Sequence, residues 1–450
     1  MFEHLDDHDE IDAGARQLAR VRNRAADLRT HRRRVLTVGA CSLLLAASLG
    51  LFLGRSSTAR LSASAANYDF NAVADPVPVG LSVPTSSLVD IDFVSPQNGF
   101  GLAAHQGAVV LAMTTDGGAD WRVRNSHLPG GFGEQDGFPG QMEFVGLTGF
   151  LWGASEQGTD PLWVTQNHGV SWQKAAITGH VMDASAIGLN VWALTSSCQQ
   201  SSTSAPGSCS LGMAESSDGG TTWDTLPILL PGTPATGSEQ QPLELARISP
   251  DRAYVVSSLT NASTTGSSWQ IAYTDDGGTS WLLRPVPCLP TMPGVELAAS
   301  GTDDLWLLCG SEAFGPEQSK SLYRSHDGGV TWSLVSNVVV SGSTAGTTAA
   351  TTPADSLPLS GYIAPFAIGH HNFAVLSPNT AWLFPTVSSL YETTDGGSQW
   401  NEVPDTASAG FTSGGAGNVT FLSATDGWIC EYGIGIWHTT DGVHWHPLGS

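Results

Sequence analysis

Charged residues are scarce in this sequence, and basic residues are the scarcest in its larger part. Charged residues make up 13% of the chain, and residues 61 to 450 contain eight Lys or Arg against 34 Asp or Glu. So acidic a segment would repel phosphates, and we therefore expect no nucleic-acid partner. Helices rich in Glu and Lys are disfavoured too, whereas abundant Gly, Ser and Thr suit short strands joined by turns. The composition predicts an all-β protein.

Cysteine is also sparse, with six in the chain, and no C-x-x-C spacing occurs. A zinc site is therefore not indicated, and since no other motif points to a metal or a cofactor, we expect neither. Cys41 lies in an apolar segment. The pattern of the other five predicts two local disulfides in an oxidising compartment and leaves Cys430 unpaired. The predicted pairs are Cys198 with Cys209 and Cys288 with Cys309.

The N-terminal region predicts a membrane anchor. Residues 1–34 contain eight Arg, and residues 35–54 contain no charged side chain. A helix of that length spans about 30 Å, the thickness of a bilayer core, and the flanking arginines keep the N-terminus inside. We expect a cytoplasmic tail at 1–34, a transmembrane signal-anchor at 35–54 and an external stalk at 55–77. The alternative is a secreted protein cleaved after Ala65, where "ASA" resembles a signal-peptidase site.

One eight-residue sequence motif, "TTDGGADW" at 114–121, recurs six more times in variant form, and we call each copy a word. The tryptophans of these words are 45 to 68 residues apart. A period near 50 residues is typical of a four-stranded propeller blade. The key residues of the seven words are Asp116 and Trp121, Asn167 and Trp172, Asp218 and Trp223, Asp276 and Trp281, Asp327 and Trp332, Asp395 and Trp400, and Asp441 and Trp445.

The chemistry of the word indicates a turn and no catalytic site. A carboxylate beside glycines can accept backbone N–H bonds across a turn, glycine supplies a positive φ, and tryptophan covers the result. We therefore interpret these Asp, Asn and Trp residues as structural and assign no catalytic residue.

A second phrase precedes each word: an apolar strand, a tight turn, and a strand with one large aromatic. Together the two phrases predict seven blades of four antiparallel strands over residues 78–450. For ring closure, we expect residues 77–84 to complete the last blade as its outer strand. The aromatics of the second phrase are Phe100, Trp152, Trp192, Tyr254, Trp306, Trp382 and Trp428.

The words resemble the Asp-box, or BNR, repeat of sialidases and sortilins. With the preceding phrases, they are most similar to the photosystem II assembly factor-like propeller group. The resemblance implies a β-propeller in which each box turns between the third and fourth strands of a blade. A sialidase would also need an arginine triad and an "RIP" motif, which we do not find. The arginines after residue 61 are Arg122, Arg124, Arg247, Arg252, Arg284 and Arg324.

The long insertions of the repeats all fall in connections that open on one face of a propeller. Loops on a rigid scaffold commonly carry function. We therefore expect a membrane-anchored extracytoplasmic binding or scaffold module that presents this long-loop face to a protein or a cell-wall glycan. The alternative is a glycan-active hydrolase of the sialidase-like class. The insertions are residues 125–140, 196–209, 229–241, 257–268, 310–320 and 341–361.

Overall fold

The fold is seen in a computed structural model. The predicted tail, anchor and stalk lie outside the described residues, and among the described residues no helix is long and apolar enough to cross a membrane. The described residues are 79–105, 108–129, 140–153, 160–198, 209–226, 233–234, 244–260, 267–289, 292, 294–314, 317–338, 359, 373–386, 389–403, 417–431 and 433–449.

These residues form seven antiparallel sheets, which follow one another along the chain as blades one to seven. The four strands of the first three blades are, in order, β2 Leu88–Phe93, β3 Gly99–His105, β4 Ala108–Thr114 and β5 Trp121–Asn125; β6 Gln141–Val145, β7 Thr148–Trp152, β8 Trp163–Thr165 and β9 Gln173–Lys174; and β10 His180–Ile187, β11 Asn190–Cys198, β12 Cys209–Ser216 and β13 Asp224–Leu226.

Blade four has a fifth strand, β14 (Thr233–Pro234), which pairs with β16 (Ala253–Thr260) beyond the end of β15 (Glu244–Arg247). The strands of blades four and five are β14 Thr233–Pro234, β15 Glu244–Arg247, β16 Ala253–Thr260, β17 Ser267–Thr274 and β18 Leu282–Pro285; and β19 Gly294–Ala299, β20 Leu305–Phe314, β21 Glu317–Ser325 and β22 Ser333–Val338. Those of blades six and seven are β23 Phe373–Val375, β24 Ala381–Thr386, β25 Ser389–Thr393 and β26 Asn401–Glu402; and β27 Gly417–Ser423, β28 Asp426–Glu431, β29 Gly435–Thr439 and β30 His446–Leu448.

The first strand of each blade contacts the first strand of the next, and β27 of blade seven contacts β2 of blade one. These seven strands therefore surround the axis of a closed ring, and we call them the axial strands. All-β with seven four-stranded antiparallel blades is the predicted architecture, and it is confirmed. Hydrophobic clusters fill the spaces between neighbouring blades, as between blades six and seven, where Trp382 packs with Ile429 and Trp437.

Ring closure differs from the prediction. Strand β1 (Ser82–Val83) pairs with β5 and so adds a fifth strand to blade one, while blade seven supplies its own outer strand, β30. A short 3-10 helix, Thr85–Ser87, follows β1. A hydrophobic cluster joins blades one and seven, and individual hydrogen bonds also connect the two ends. Thr85 Oγ1 donates to Gly449 O at 3.2 Å, Gly433 N donates to Ser86 O at 3.0 Å, and Trp428 Nε1 donates to Gly117 O at 3.0 Å.

All strands and all of these closing contacts lie inside one compact unit, Ala72–Ser450. A chain that begins at Ala72 therefore retains all of the described strands and the contacts that close the ring.

The aromatics of the second phrase lie on the second strands and are buried. Strand register corrects one assignment. Phe150 pairs with Glu143 as Phe100 pairs with Asp92, so Phe150, and not Trp152, is the blade-two counterpart. Trp152 lies two residues further along β7 and is also buried. Core packing accounts for these rings, because none of the seven named aromatics is exposed.

Candidate functional site: the axial carboxylates

The Asp-box carboxylates accept hydrogen bonds from residues of their own turns. In blade three, Asp218 Oδ1 accepts from Ser216 Oγ at 2.8 Å and from Thr222 N at 2.9 Å, and Gly220 N donates to Ser216 Oγ at 2.8 Å. In blade two, Asn167 Oδ1 takes the place of the carboxylate oxygen and accepts a hydrogen bond from Thr165 Oγ1 at 2.9 Å. The hydroxyl-to-Asp contact recurs in the other five boxes. Each box therefore closes a hairpin between a third and a fourth strand.

In two of these turns, hydrogen bonds to the aspartate hold its pKa far below the usual range. Hydrogen bonds from Thr222 and Ser216 lower the pKa of Asp218 to about 2, and those from Thr331 lower the pKa of Asp327 to about 2. The box tryptophans are buried or half-buried. Trp121 Nε1 donates to Gly118 O of its own box at 2.9 Å. The box carboxylates and tryptophans are therefore parts of the hairpin turns.

Four of the arginines considered for a sialidase triad bind backbone carbonyls at four different blade interfaces. Arg124 Nε donates to His168 O at 3.1 Å, and Arg284 and Arg324 donate to Gly328 O and Gly396 O, each time in the box of the next blade. Arg247 donates to Ser185 O of the preceding blade at 3.0 Å and lies over Trp192. Their separation around the ring weighs against a shared site for a substrate carboxylate.

The axial strands instead bring together acidic residues that no sequence motif marks. Register places them in two layers along the axis. The first layer holds four acids and two amides, and the second layer, two residues further along each strand, holds two more acids. The first layer is Asp90, Gln141, Asp183, Glu244, Glu296 and Asn418, and the acids of the second are Asp92 and Glu143.

Each of four carboxylates accepts a hydrogen bond from a backbone N–H of the next axial strand. Phe144 N donates to Asp92 at 2.5 Å, Ala186 N donates to Glu143 at 3.0 Å, and Leu245 N donates to Asp183 at 2.7 Å. Leu297 N donates to Glu244 in the same way.

At the junction of the last and first blades, Asn418 Nδ2 donates to Asp90. An axial strand has no strand on its inner side to pair its amides, and these side chains supply the acceptors.

Burial sets the protonation of these acids. It raises the pKa of Glu143 to about 8, with the neighbouring Asp92 charge adding to the effect, and it raises the pKa of Asp183 to about 7. It also raises the pKa of Asp92 to about 6. For Glu244, burial and the adjacent Glu296 hold the pKa well above its usual range.

The axis therefore gains negative charge as the pH rises through neutrality. Among the described residues, no group of three or more His, Cys, Asp or Glu is arranged to hold a metal ion.

The sequence does contain a pattern that corresponds to the axial acids. Single acids interrupt otherwise apolar first strands, in "DIDF", "MEF", "LEL" and "VEL". Alternation of polar and apolar residues normally indicates a half-exposed strand, so these acids gave no hint that they surround an axis. Only the repeat register places them at one level.

The described ends of the six insertions fall between second and third strands or between blades. Parts of them are strand, because β11, β12, β16, β17, β20 and β21 extend into them. The rest lies outside the described residues, so the long-loop face stays a prediction.

Cys288 and Cys309 form a disulfide that joins the connection between blades four and five to β20. Cys198 and Cys209 lie opposite each other in the β11–β12 ladder, with side chains outside the described part of the chain. Cys430 is buried and free.

No protein-family model matches this chain, and no curated protein matches it. Among solved structures, a puromycin-hydrolyzing peptidase of Mycobacterium tuberculosis is similar with a TM-score of 0.51 at 10% identity, covering 83% of this chain and 56% of that one. The photosystem II assembly factor YCF48 bound to D1 peptide has a TM-score of 0.48 at 17% identity, covering 82% and 98%.

A GH74 xyloglucanase of Xanthomonas campestris has a TM-score of 0.46 at 15% identity, covering 81% and 54%. YCF48 belongs to the group that the repeat words resemble, and at these identities the similarities speak to fold alone. By its blades and its boxes, the chain is a seven-bladed Asp-box β-propeller.

Proposed function

We propose that this protein is a membrane-anchored extracytoplasmic binding or scaffold module, and that its long-loop face binds a protein or a cell-wall glycan. Residues 35–54 anchor the chain, and the propeller lies outside the membrane. The proposal concerns recognition and assigns no catalytic role to the propeller.

One observation carries the proposal: the distribution of insertions between the two ends of the blades. Turns between first and second strands are short, as in Val145–Thr148 and Ile187–Asn190, and the box turns are short too. All six insertions fall in the other two kinds of connection, which open on the opposite face because strands in a blade alternate in direction. A rigid ring with variable segments on one face suits recognition.

The commitment of polar groups to backbone contacts supports recognition over hydrolysis. Box aspartates bind their own turns, axial carboxylates bind neighbouring amides, and Arg124, Arg284 and Arg324 bind box carbonyls. A retaining or inverting glycosidase needs two carboxyl groups facing one bond of its substrate. A pair so arranged is not evident among these residues.

The test compares the full protein in native membranes with a variant in which residues 341–361 are replaced by a short Gly-Ser linker. We expect crosslinking to capture a protein partner, or a glycan array to give a saturable signal, and the loop variant to lose it. A matched control replaces the short turn 95–98 with Gly and Ser. Retained binding in the loop variant would contradict the assignment of the face.

Two further measurements separate the alternatives. Turnover of a chromogenic glycoside panel by the purified protein would favour the hydrolase. For the anchor, intact mass of the membrane-extracted protein should include residues 1–54, whereas a chain that begins at Ala66 would show cleavage and secretion.

A further inference from the structure

A third layer lies two residues beyond Asp92 and Glu143, where the axial strands end and the short turns begin. Val145 and Ile187 are still in strands and face the same way as the layers before them. Val94, Ile248 and Leu376 follow their strands by one residue and keep a backbone hydrogen bond across the turn, and Val94 and Ile248 also pack against the cores between blades. Six of its seven residues are aliphatic, and blade five has Ser300 there. We call the six the apolar rim: Val94, Val145, Ile187, Ile248, Leu376 and Leu422.

The apolar rim extends onto the surface. Leu376 and Leu422 are 37% and 40% exposed, and two leucines of the adjoining turns, Leu147 and Leu189, are 59% and 61% exposed. These last two lie in neighbouring blades. A Cβ placed on Gly219 would lie 3.2 Å from Leu189 and 3.8 Å from Thr148, the residue after Leu147, so both turns meet the same box.

The turns do not require leucine. Leu147 O and Leu189 O accept the N–H of a box residue, His168 and Gly219 respectively. The corresponding carbonyls of four other blades belong to polar residues, and the bond is the same. These residues are Gln97, Asp251, Asp303 and Asn379. Exposed leucines that the local structure does not need are typical of a contact surface.

The charge of this end of the axis defines the partner. Asp218, beside Gly219, has a pKa of about 2 and is ionised at neutral pH. Asp92, one layer behind the apolar rim, has a pKa of about 6 and is largely ionised there, whereas Glu143, with a pKa of about 8, adds its charge at higher pH. Arg247, which precedes Ile248, is turned into the blade interface, where it binds Ser185 O and Asn190 O. Arg252, in the adjoining short turn, donates to Thr302 O of the next blade at 3.3 Å. A second copy of this acidic chain, or an anionic lipid surface, would be repelled, whereas a basic segment would be attracted.

We propose that the apolar rim, with Leu147 and Leu189, docks a cationic amphipathic segment of a partner protein, whose aliphatic side chains cover the leucines and whose basic side chains face the axial carboxylates. This surface is separate from the long-loop face. A propeller that holds one partner at each end of its axis acts as a bridge between them.

The test uses the protein lacking residues 1–71, since the unit Ala72–Ser450 contains the whole ring. The probes are two fluorescein-labelled 18-residue peptides with one pattern of Leu, paired with Lys in one peptide and with Glu in the other. Fluorescence anisotropy at low salt should give saturable binding of the Leu/Lys peptide. The Leu/Glu peptide should bind at least tenfold more weakly.

Four substitutions test the surface. Leu376→Ser and Leu422→Ser introduce the residue that blade five has at this position, Ser300. Leu147→Asn and Leu189→Asn introduce the residue that blade six has at the corresponding turn position, Asn379. Their combination should weaken Leu/Lys binding about tenfold or more, because it removes most of the exposed apolar area. The matched control is Leu282→Ser, a leucine 60% exposed on outer strand β18, which should leave binding within twofold. Circular dichroism and the melting temperature verify that the variants are folded.

Three outcomes overturn the proposal. The first is equal binding of the two peptides, or no binding of either. The second is unchanged binding in the folded quadruple variant. The third is a wild-type dimer in analytical ultracentrifugation that the quadruple variant dissociates, because a second copy would then cover the apolar rim.

Discussion

Replacing Glu143 with Gln tests whether the axis stores protons. Glu143 Oε2 accepts from Ala186 N at 3.0 Å, and a glutamine carbonyl keeps that acceptor while it removes the ionisable group. Burial, aided by the charge of Asp92, raises the pKa of Glu143 from 4.5 to about 8. Between these values the folded protein binds more protons at this position than the unfolded chain does. The stability contributed by Glu143 is therefore present below pH 4.5 and is lost as the pH rises through 8.

The size of the effect follows from the shift. One pKa unit corresponds to about 1.4 kcal/mol, so the full shift is on the order of 5 kcal/mol. Glu143 is half-buried, and solvent at the axis screens its charge. We therefore expect roughly 1 to 3 kcal/mol. Glu143→Gln should match the wild-type free energy of unfolding at pH 5 and exceed it by that amount at pH 9.

The assay is urea unfolding of the protein lacking residues 1–71, followed by tryptophan fluorescence at pH 5, 7 and 9. Glu402→Gln, on exposed strand β26, is the matched control for the loss of a surface carboxylate. Parallel pH profiles of wild type and Glu143→Gln would refute the reasoning, since the axial carboxyl would then titrate alike in the folded and unfolded chains.

Three other predictions concern stability, measured by urea unfolding. Asp116→Ala should lower the free energy of unfolding by about 1 to 3 kcal/mol through loss of the box hydrogen bonds, whereas Asp116→Asn should cost less, because Asn167 serves in blade two; equal losses would contradict the turn role. Arg324→Met should cost about 2 to 4 kcal/mol, because it leaves Gly396 O without this donor and removes one of the two partners of Asp304, the other being His326; a loss under 0.5 kcal/mol would refute the stabilising role of Arg324. Reduction of Cys288–Cys309, which closes a loop with a sequence separation of 21, should cost about 3 kcal/mol, and Cys309→Ala should abolish the response to reductant.

The repeat words were sufficient to predict the blades, because the box is a local motif. Hydroxyl, carboxylate and glycine act within a few residues of one another, so each word specifies its own hairpin, and Asn167 shows that even an amide suffices. Counting boxes and preceding strands then fixes the number of blades. The Cys288–Cys309 pair was likewise close in sequence.

Contacts distant in sequence were not predictable in this way. Residues 82–83 could pair with the outer strand of blade one or with that of blade seven. They pair with Trp121 and Arg122 of blade one, and no nearby sequence pattern indicates this choice. Trp152 was assigned by its size, but register rather than size selects Phe150. The axial layers arise only when seven separate strands are aligned by their pairing.

Acidic residues in this chain have two opposite electrostatic roles, and their position in the blade decides which. A box aspartate sits at a solvent-exposed turn whose N–H and hydroxyl groups converge on it, so the ionised form is favoured and the pKa of Asp218 falls to about 2. An axial carboxyl loses much of its solvation and accepts fewer hydrogen bonds than a box aspartate, so these bonds do not compensate for the loss. The neutral form is therefore favoured, and the pKa of Glu143 rises to about 8. Between pH 5 and 9 Asp218 and Asp327 therefore stay charged while the axis gains charge. As the pH rises over this range, a basic segment should bind more tightly at the apolar rim while the ring itself becomes less stable. The bound basic segment would offset part of that loss of stability, because it favours the ionised form of the carboxylates.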